Sequence, residues 1–158
     1  MQMRTRKTSP AVKPLDLGVL TNLVGFNVHV LDLRLYKLFY ERLRGRALTP
    51  GVFSTLLAIR NNPGVRHGAL AEALLIQRPN MTTLIDRLQR NGYVSRRPSP
   101  IDKRSVILSL TAKGQRAVDR TLALIVDHDR MTTRRLSEAE RKTFLRLLRK
   151  LSVGLRPA

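Results

Sequence analysis

Residues 93–110, YVSRRPSPIDKRSVILSL, interrupt a chain whose apolar residues otherwise recur at helical spacing. YVSRR and SVILSL have the composition of short strands, and PSPIDKR between them is a basic loop carrying two prolines. In the second run Val106, Leu108 and Leu110 alternate with their neighbours and so face one way. What stands before such a hairpin decides which fold it belongs to.

Three helical segments precede it. Thr49-Pro50 is a cap and first-turn pair for PGVFSTLLAIRNN, which stops at Asn62-Pro63-Gly64. HGALAEALL predicts a short helix over roughly 67–75. RPNMTTLIDRLQRNG starts near Arg78, accepts Pro79 in its first turn and ends at Gly92. Its inward positions are Met81, Leu84, Ile85 and Leu88, and its outward positions include Arg78, Asn80, Thr83 and Arg87. Three helices followed at once by a two-stranded hairpin make a winged helix-turn-helix, with PSPIDKR as its wing.

Long helices flank this lobe. Leu17, Leu20, Val24, Val28, Leu31, Leu35 and Leu38 recur at steps of three and four, which predicts one helix from Leu17 to Arg44. Phe26, Leu33, Tyr36 and Tyr40 widen its apolar surface beyond a single stripe. Thr111 caps a fifth helix over AKGQRAVDRTLALIVDHDRMTTRRL, and Ser137 with Glu140 forms a capping box for a sixth. The expected organisation is a basic arm at 1–14, an N-terminal dimerisation helix at 15–48 and the winged helix-turn-helix lobe at 49–111. C-terminal dimerisation helices follow at 112–153, with a tail at 154–158. The fold class is mainly α with a small β-hairpin wing. Leu17, Leu20, Phe144, Leu148 and Leu151 are the dimer-interface candidates, because the terminal helices carry more apolar surface than one lobe can hide.

Charge points to the partner. Thirty Lys and Arg face eleven Asp and Glu, a formal net charge of +19. Such a bias implies a polyanion such as nucleic acid, an anionic membrane surface or an acidic metabolite. There is no cysteine, which excludes disulfides, thiolate metal sites and cysteine nucleophiles. His29, His67 and His128 lack ligand spacing, so no metal is expected. No Gly-rich phosphate loop, His-plus-acid cluster or paired carboxylates occur at useful spacing, so neither an enzyme nor a cofactor is expected. Residues 1–14 lack the apolar core of a signal peptide, and charges break every long helical stretch. The expectation is a cytoplasmic, nucleoid-associated bacterial protein that does not engage membranes.

The fourth helix has the chemistry of a DNA reader. A major groove admits an α-helix, and Arg and Asn match the donor and acceptor patterns of base edges. The expected DNA-facing set is Gln77, Arg78, Pro79, Asn80, Thr82, Thr83 and Arg87 on this helix, with Arg96, Arg97, Lys103 and Arg104 on the wing. A hairpin of this kind can lay an arginine into the narrow, negative minor groove. Asp102, a carboxylate on a DNA-facing loop, is expected to grip Arg104 and fix its guanidinium.

LTPGVFSTLLAI together with NNPGVRHGALAEALLIQRPNMTTLIDRLQRNGYVSRRPSPIDKRSVILSLTAKG resembles the MarR family of bacterial transcriptional regulators, over about 49–115. The wing carries the most specific part of the likeness, Arg-Arg-x-x-x-x-Asp-x-Arg, then an apolar strand, then Leu-Thr-x-x-Gly. The resemblance implies that Asp102 and Arg104 are the family's wing pair and that Leu110, Thr111 and Gly114 mark the strand-to-helix junction. Arg66, Gln77 and Pro79 depart from the family's usual helix starts. The likeness further implies a homodimeric repressor on an inverted repeat of double-stranded DNA. It implies an effector crevice too, whose available lining is Phe26, His29, Tyr36, Tyr40, Arg44, Arg46 and Phe53. Arg34, Lys37, Arg42, Arg44 and Arg46 against Glu41 favour an anionic effector. The chain also looks like MarR-type regulators of aromatic-acid degradation, some of which respond to acyl-CoA thioesters such as hydroxycinnamoyl-CoA. A non-specific or architectural DNA-binding protein without effector response is the alternative, since positive charge alone binds DNA.

Overall fold

A computed structural model describes residues 15–101 and 106–154. The expected basic arm, the Asp102–Arg104 pair, Lys103 and all of the tail beyond Gly154 lie outside the described residues. The chain divides into two units, Met1–Leu38 and Phe39–Ala158.

In the first unit the expected single helix from Leu17 is broken. A 3-10 turn spans Gly18–Asn22, Leu23 is extended (φ −87°, ψ 123°), and the α-helix, α1, runs Val24–Leu43 into the second unit. The break has local causes. Gly18 adopts a left-handed φ of 51°, and its N–H donates to Asp16 Oδ1 at 2.8 Å, which ties off the turn. Asn27 then donates its side-chain amide to the carbonyl of Thr21, which a continuous helix would have paired, and to that of Leu23, which also accepts the Asn27 N–H.

In the second unit α1 ends with Phe39 and Leu43 buried. Helix α2 is Pro50–Asn61, α3 is His67–Ala73 and α4 is Arg78–Arg90. Thr49 precedes α2 with extended backbone, but its hydroxyl makes no cap bond, so Pro50 carries the start of the helix. Helix α3 stops short of the expected 75, because Leu75 takes a left-handed φ of 53°. Strands β1 (Val94–Pro98) and β2 (Val106–Leu110) pair antiparallel, with Val94 opposite Leu110 and Pro98 opposite Val106. Val65 extends this sheet from outside the hairpin: Leu108 N–H donates to the Val65 carbonyl, and Gly64 N–H to the Leu108 carbonyl, each at 2.9 Å. Leu108 is accordingly the buried residue of β2, whereas Val106 is exposed and Leu110 half-buried.

One core joins these elements. Leu56 and Ile59 of α2, Leu70 of α3, Met81, Ile85 and Leu88 of α4, Val94, Leu108 and Val118 pack together. Met81, Ile85 and Leu88 fall at i, i+4 and i+7, one face of α4, which leaves the other face to solvent.

Helix α5 is Ala112–Thr132, four residues shorter at its end than the sequence pattern predicts. The Thr132 and Thr133 hydroxyls both donate to the Asp129 carbonyl, turning the chain towards α6 (Glu138–Gly154). The Ser137–Glu140 capping box forms as expected. Ser137 N–H donates to Glu140 Oε2 at 2.7 Å, and Glu140 N–H donates to Ser137 Oγ at 3.3 Å. The Ser137 hydroxyl, which donates to Glu140 Oε2 at 2.7 Å, and then the Ser137 N–H hold the Glu140 carboxyl below the usual range.

Candidate nucleic-acid interface

The exposed face of α4 carries the expected side chains. Gln77 occupies the N-cap position with no side-chain cap bond, Pro79 lies in the first turn, and Arg78, Asn80, Thr83 and Arg87 are all exposed. The first-turn N–H groups therefore lack a side-chain acceptor from Gln77, and the positive end of the helix dipole is left facing out beside Arg78. Thr82 and Thr83 donate their hydroxyls to the carbonyls of Arg78 and Pro79, each at 3.1 Å. Their hydroxyl protons are thus engaged, and what they offer outward is an acceptor lone pair and a methyl group.

Strand β1 splits the two wing arginines. Arg97 is exposed, but Arg96 Nη2 meets Asp86 Oδ1 of α4 at 2.5 Å. Arg96, one of the expected DNA-facing residues, is thus paired with Asp86, and its guanidinium braces β1 against the middle of α4. In the sequence Asp86 stands, with Asp102, as one of two acids among the basic residues of 77–104. An acid on the half-buried flank of an otherwise basic helix was the available signal for a brace.

The far end of α4 is clamped to the wing and to α5. Gly92, at φ 73°, reverses the chain after α4. Thr111 Oγ1 donates to the Gly92 carbonyl at 2.6 Å, Thr111 N–H donates to the Tyr93 carbonyl at 3.0 Å, and Gly114 N–H donates to Thr111 Oγ1 at 3.0 Å. Lys113 Nζ donates to the Asn91 carbonyl at 2.8 Å and lies 5.0 Å from the centroid of the Tyr93 ring. A Cβ on Gly114 would stand 2.1 Å from the Tyr93 carbonyl oxygen, so α5 and β1 approach as closely as a glycine allows.

The effector candidates fall in both units. In the first, Phe26 is half-buried and His29 and Tyr36 are exposed. In the second, Tyr40, Arg44 and Arg46 are exposed, whereas Phe53 is 7% exposed and part of the lobe's core. His128 of α5, which sequence reading set aside after excluding a metal, packs edge-on to Phe39 with ring centroids 5.9 Å apart. Its Nδ1 is buried and makes no hydrogen bond within the described chain. Among the described residues no cluster of His, Asp and Glu is arranged to hold a metal ion, and no helix is long and apolar enough to cross a membrane.

A helix with an open polar face, braced to a basic hairpin, defines a winged helix-turn-helix protein. A model of the MarR family matches residues 48–106. A protein of Thauera aromatica named for regulation of the hcr operon is 30% identical over 153 residues, covering 94% of this chain and 92% of the relative. The transcriptional repressor CouR bound to a 23-mer DNA duplex superposes with a TM-score of 0.83 at 33% identity, covering 89% of this chain and 99% of CouR. CouR bound to p-coumaroyl-CoA gives a TM-score of 0.78 at 31% identity, covering 88% and 98%. The chain belongs to the MarR family.

Proposed function

We propose that this protein is a homodimeric repressor that occupies an inverted repeat in promoter DNA and leaves it when an anionic aromatic effector, an aromatic acyl-CoA thioester, binds. The observation that carries the DNA reading is the exposed first turn of α4. Arg78 and Asn80 there have the chemistry to read base edges, while Arg87 and Arg97 reach phosphates. Likeness to CouR with DNA and with p-coumaroyl-CoA supports both halves of the proposal.

Dimerisation is supported by α6, none of whose residues is buried in the single chain, with Phe144, Leu147 and Leu151 exposed along it. Leu17 and Leu20 of the first unit are exposed as well. A second copy covers such faces and sets two reading helices one DNA turn apart. For the effector, Tyr36, Tyr40 and His29 offer aromatic and hydrogen-bonding contacts, and Arg44 and Arg46 offer charge to a carboxylate or phosphate. Phe53 contributes through the core of the second unit.

The net charge of +19 favours one other reading, a non-specific DNA coat. Fluorescence anisotropy at physiological salt separates the two. The DNA upstream of the protein's own gene and a scrambled duplex are compared, with hydroxycinnamoyl-CoA and the free acid titrated into each complex. Selective binding reversed by the thioester is expected. Equal binding to both duplexes, untouched by either compound, would replace the regulator with the coat.

A further inference from the structure

Two polar side chains of α5, Thr121 and His128, are buried. They stand seven residues apart, so they share one side of the helix. Thr121 has a partner in the chain: its Oγ1 accepts the Leu48 N–H at 3.4 Å. His128 is only 9% exposed, and its enclosed Nδ1 makes no hydrogen bond within the described chain. A buried polar atom left unpaired weakens a folded chain, whereas a phenylalanine ring in its place would carry no such cost. The nitrogen's use therefore lies in a partner from outside.

The surroundings select that partner. The His128 ring stands edge-on to Phe39 of α1 with centroids 5.9 Å apart, and Phe39 stands edge-on to Tyr40 at 5.7 Å. Charge is balanced on either side: Asp127 holds Arg42 at 2.8 Å, and Asp129 holds Arg141 at 2.7 Å. Arg130, two residues along α5, lies on the far side of the helix. An aromatic niche with its nearby charges already paired suits a neutral polar group on a flat ring. A phenolic hydroxyl is neutral at physiological pH, and it both donates and accepts, so it pairs with Nδ1 in either tautomer.

We propose that His128 recognises, through Nδ1, a phenolic hydroxyl on the effector's aromatic ring. The inference rests on the aromatic-effector reading above and adds the residue that selects hydroxylated rings from bare ones. Because Nδ1 is enclosed, the incoming ring reaches it by displacing Phe39, so the hydroxyl is bound only as the last turns of α1 part from α5. The Arg42–Asp127 pair that also joins these helices is largely exposed and resists little.

The test measures binding of para-hydroxycinnamoyl-CoA and cinnamoyl-CoA, which differ by that hydroxyl alone, to the DNA-free protein by isothermal titration calorimetry. Wild type is expected to bind the hydroxylated thioester about tenfold to thirtyfold more tightly. His128→Phe should bind the two alike and hold cinnamoyl-CoA at least as well as wild type does, which general damage to the fold would not produce. His128→Asn, whose amide stands near the position of Nδ1, should keep most of the preference. Equal wild-type affinities for the two thioesters would sink the inference whatever the variants do, and so would an unchanged preference in His128→Phe; the effector reading would then stand. If wild type binds neither thioester, the effector reading fails and this inference with it.

Discussion

Replacing Gly114 by alanine tests whether the junction of wing and α5 is as tight as it looks. The added Cβ would lie 3.0 Å from the Tyr93 carbonyl carbon and 2.1 Å from its oxygen, the latter roughly 1 Å or more inside ordinary van der Waals contact. The obstacle is backbone, so no side-chain rotation relieves it. Either α5 or β1 must shift, and that stretches the Thr111 bonds to the Gly92 and Tyr93 carbonyls, now 2.6 and 3.0 Å. Overpacking of this kind costs about 1–3 kcal/mol, and weakening two hydrogen bonds about 1 kcal/mol each. Alanine returns about 1 kcal/mol through helix propensity. The net expectation is a loss of about 2–4 kcal/mol, a fall in Tm of about 5–15 °C for a chain of this size. Gly68 in α3 supplies the control, because nothing lies within 4 Å of the Cβ it would gain. Thermal unfolding followed by circular dichroism, at one fixed protein concentration, should show Gly114→Ala melting well below wild type and Gly68→Ala melting at or above it. If Gly114→Ala melted within a degree or two of wild type, the junction would have room to spare and the clamp would be misread.

Other substitutions probe the remaining features. Leu75→Gly relieves a left-handed backbone at a side chain 90% exposed, so chemical denaturation should show a gain of about 0.5–1 kcal/mol; a loss would mean that the leucine holds something in place. For the Asp86–Arg96 brace, whose side chains are partly exposed, a double-mutant cycle with alanine should give a coupling of about 0.5–1 kcal/mol. Additive single effects would remove the brace. Glu140→Gln should alter the acid limb of the stability curve. The folded pKa of Glu140 lies below its unfolded value, so its stabilising contribution is present above the ordinary carboxylate range and fades as pH falls through the folded pKa. Wild type and variant should therefore differ at neutral pH and converge in acid, and a pH-independent gap would point to another cause.

Much of the fold was legible because punctuation residues act locally. Pro50, Pro79 and Gly92 bound helices by their own backbone preferences, and Ser137 with Glu140 announces a cap within four residues. The inward face of α4 followed from spacing alone. The break at Leu23 did not, because the apolar period runs on across it and only the backbone conformation changes. Arg96 was legible as a basic residue on a hairpin, but its pairing with Asp86 depends on how β1 crosses α4. Phe53 illustrates the same limit: an aromatic on a helix reads equally well as crevice lining or core until the neighbouring helices are placed. Gly114 was marked by family likeness, and its reason, a carbonyl pressed against the helix, is visible only in three dimensions.

The bridge between Val65 and Leu108 has a mechanical consequence. It ties the middle of β2 to the segment ahead of α3, while Thr111, between β2 and α5, is tied to the Gly92 carbonyl after α4, so the wing has no soft joint at its base. Each strand is five residues long, a span of about 17 Å at the usual rise of a strand. A wing of that length behaves as a stiff lever. Tilting its root by about 5° carries its far end about 1.5 Å, enough to seat or unseat a hydrogen bond. A small rotation of α5 is thereby converted into a displacement where the wing meets its partner, with no part of the hairpin having to unfold.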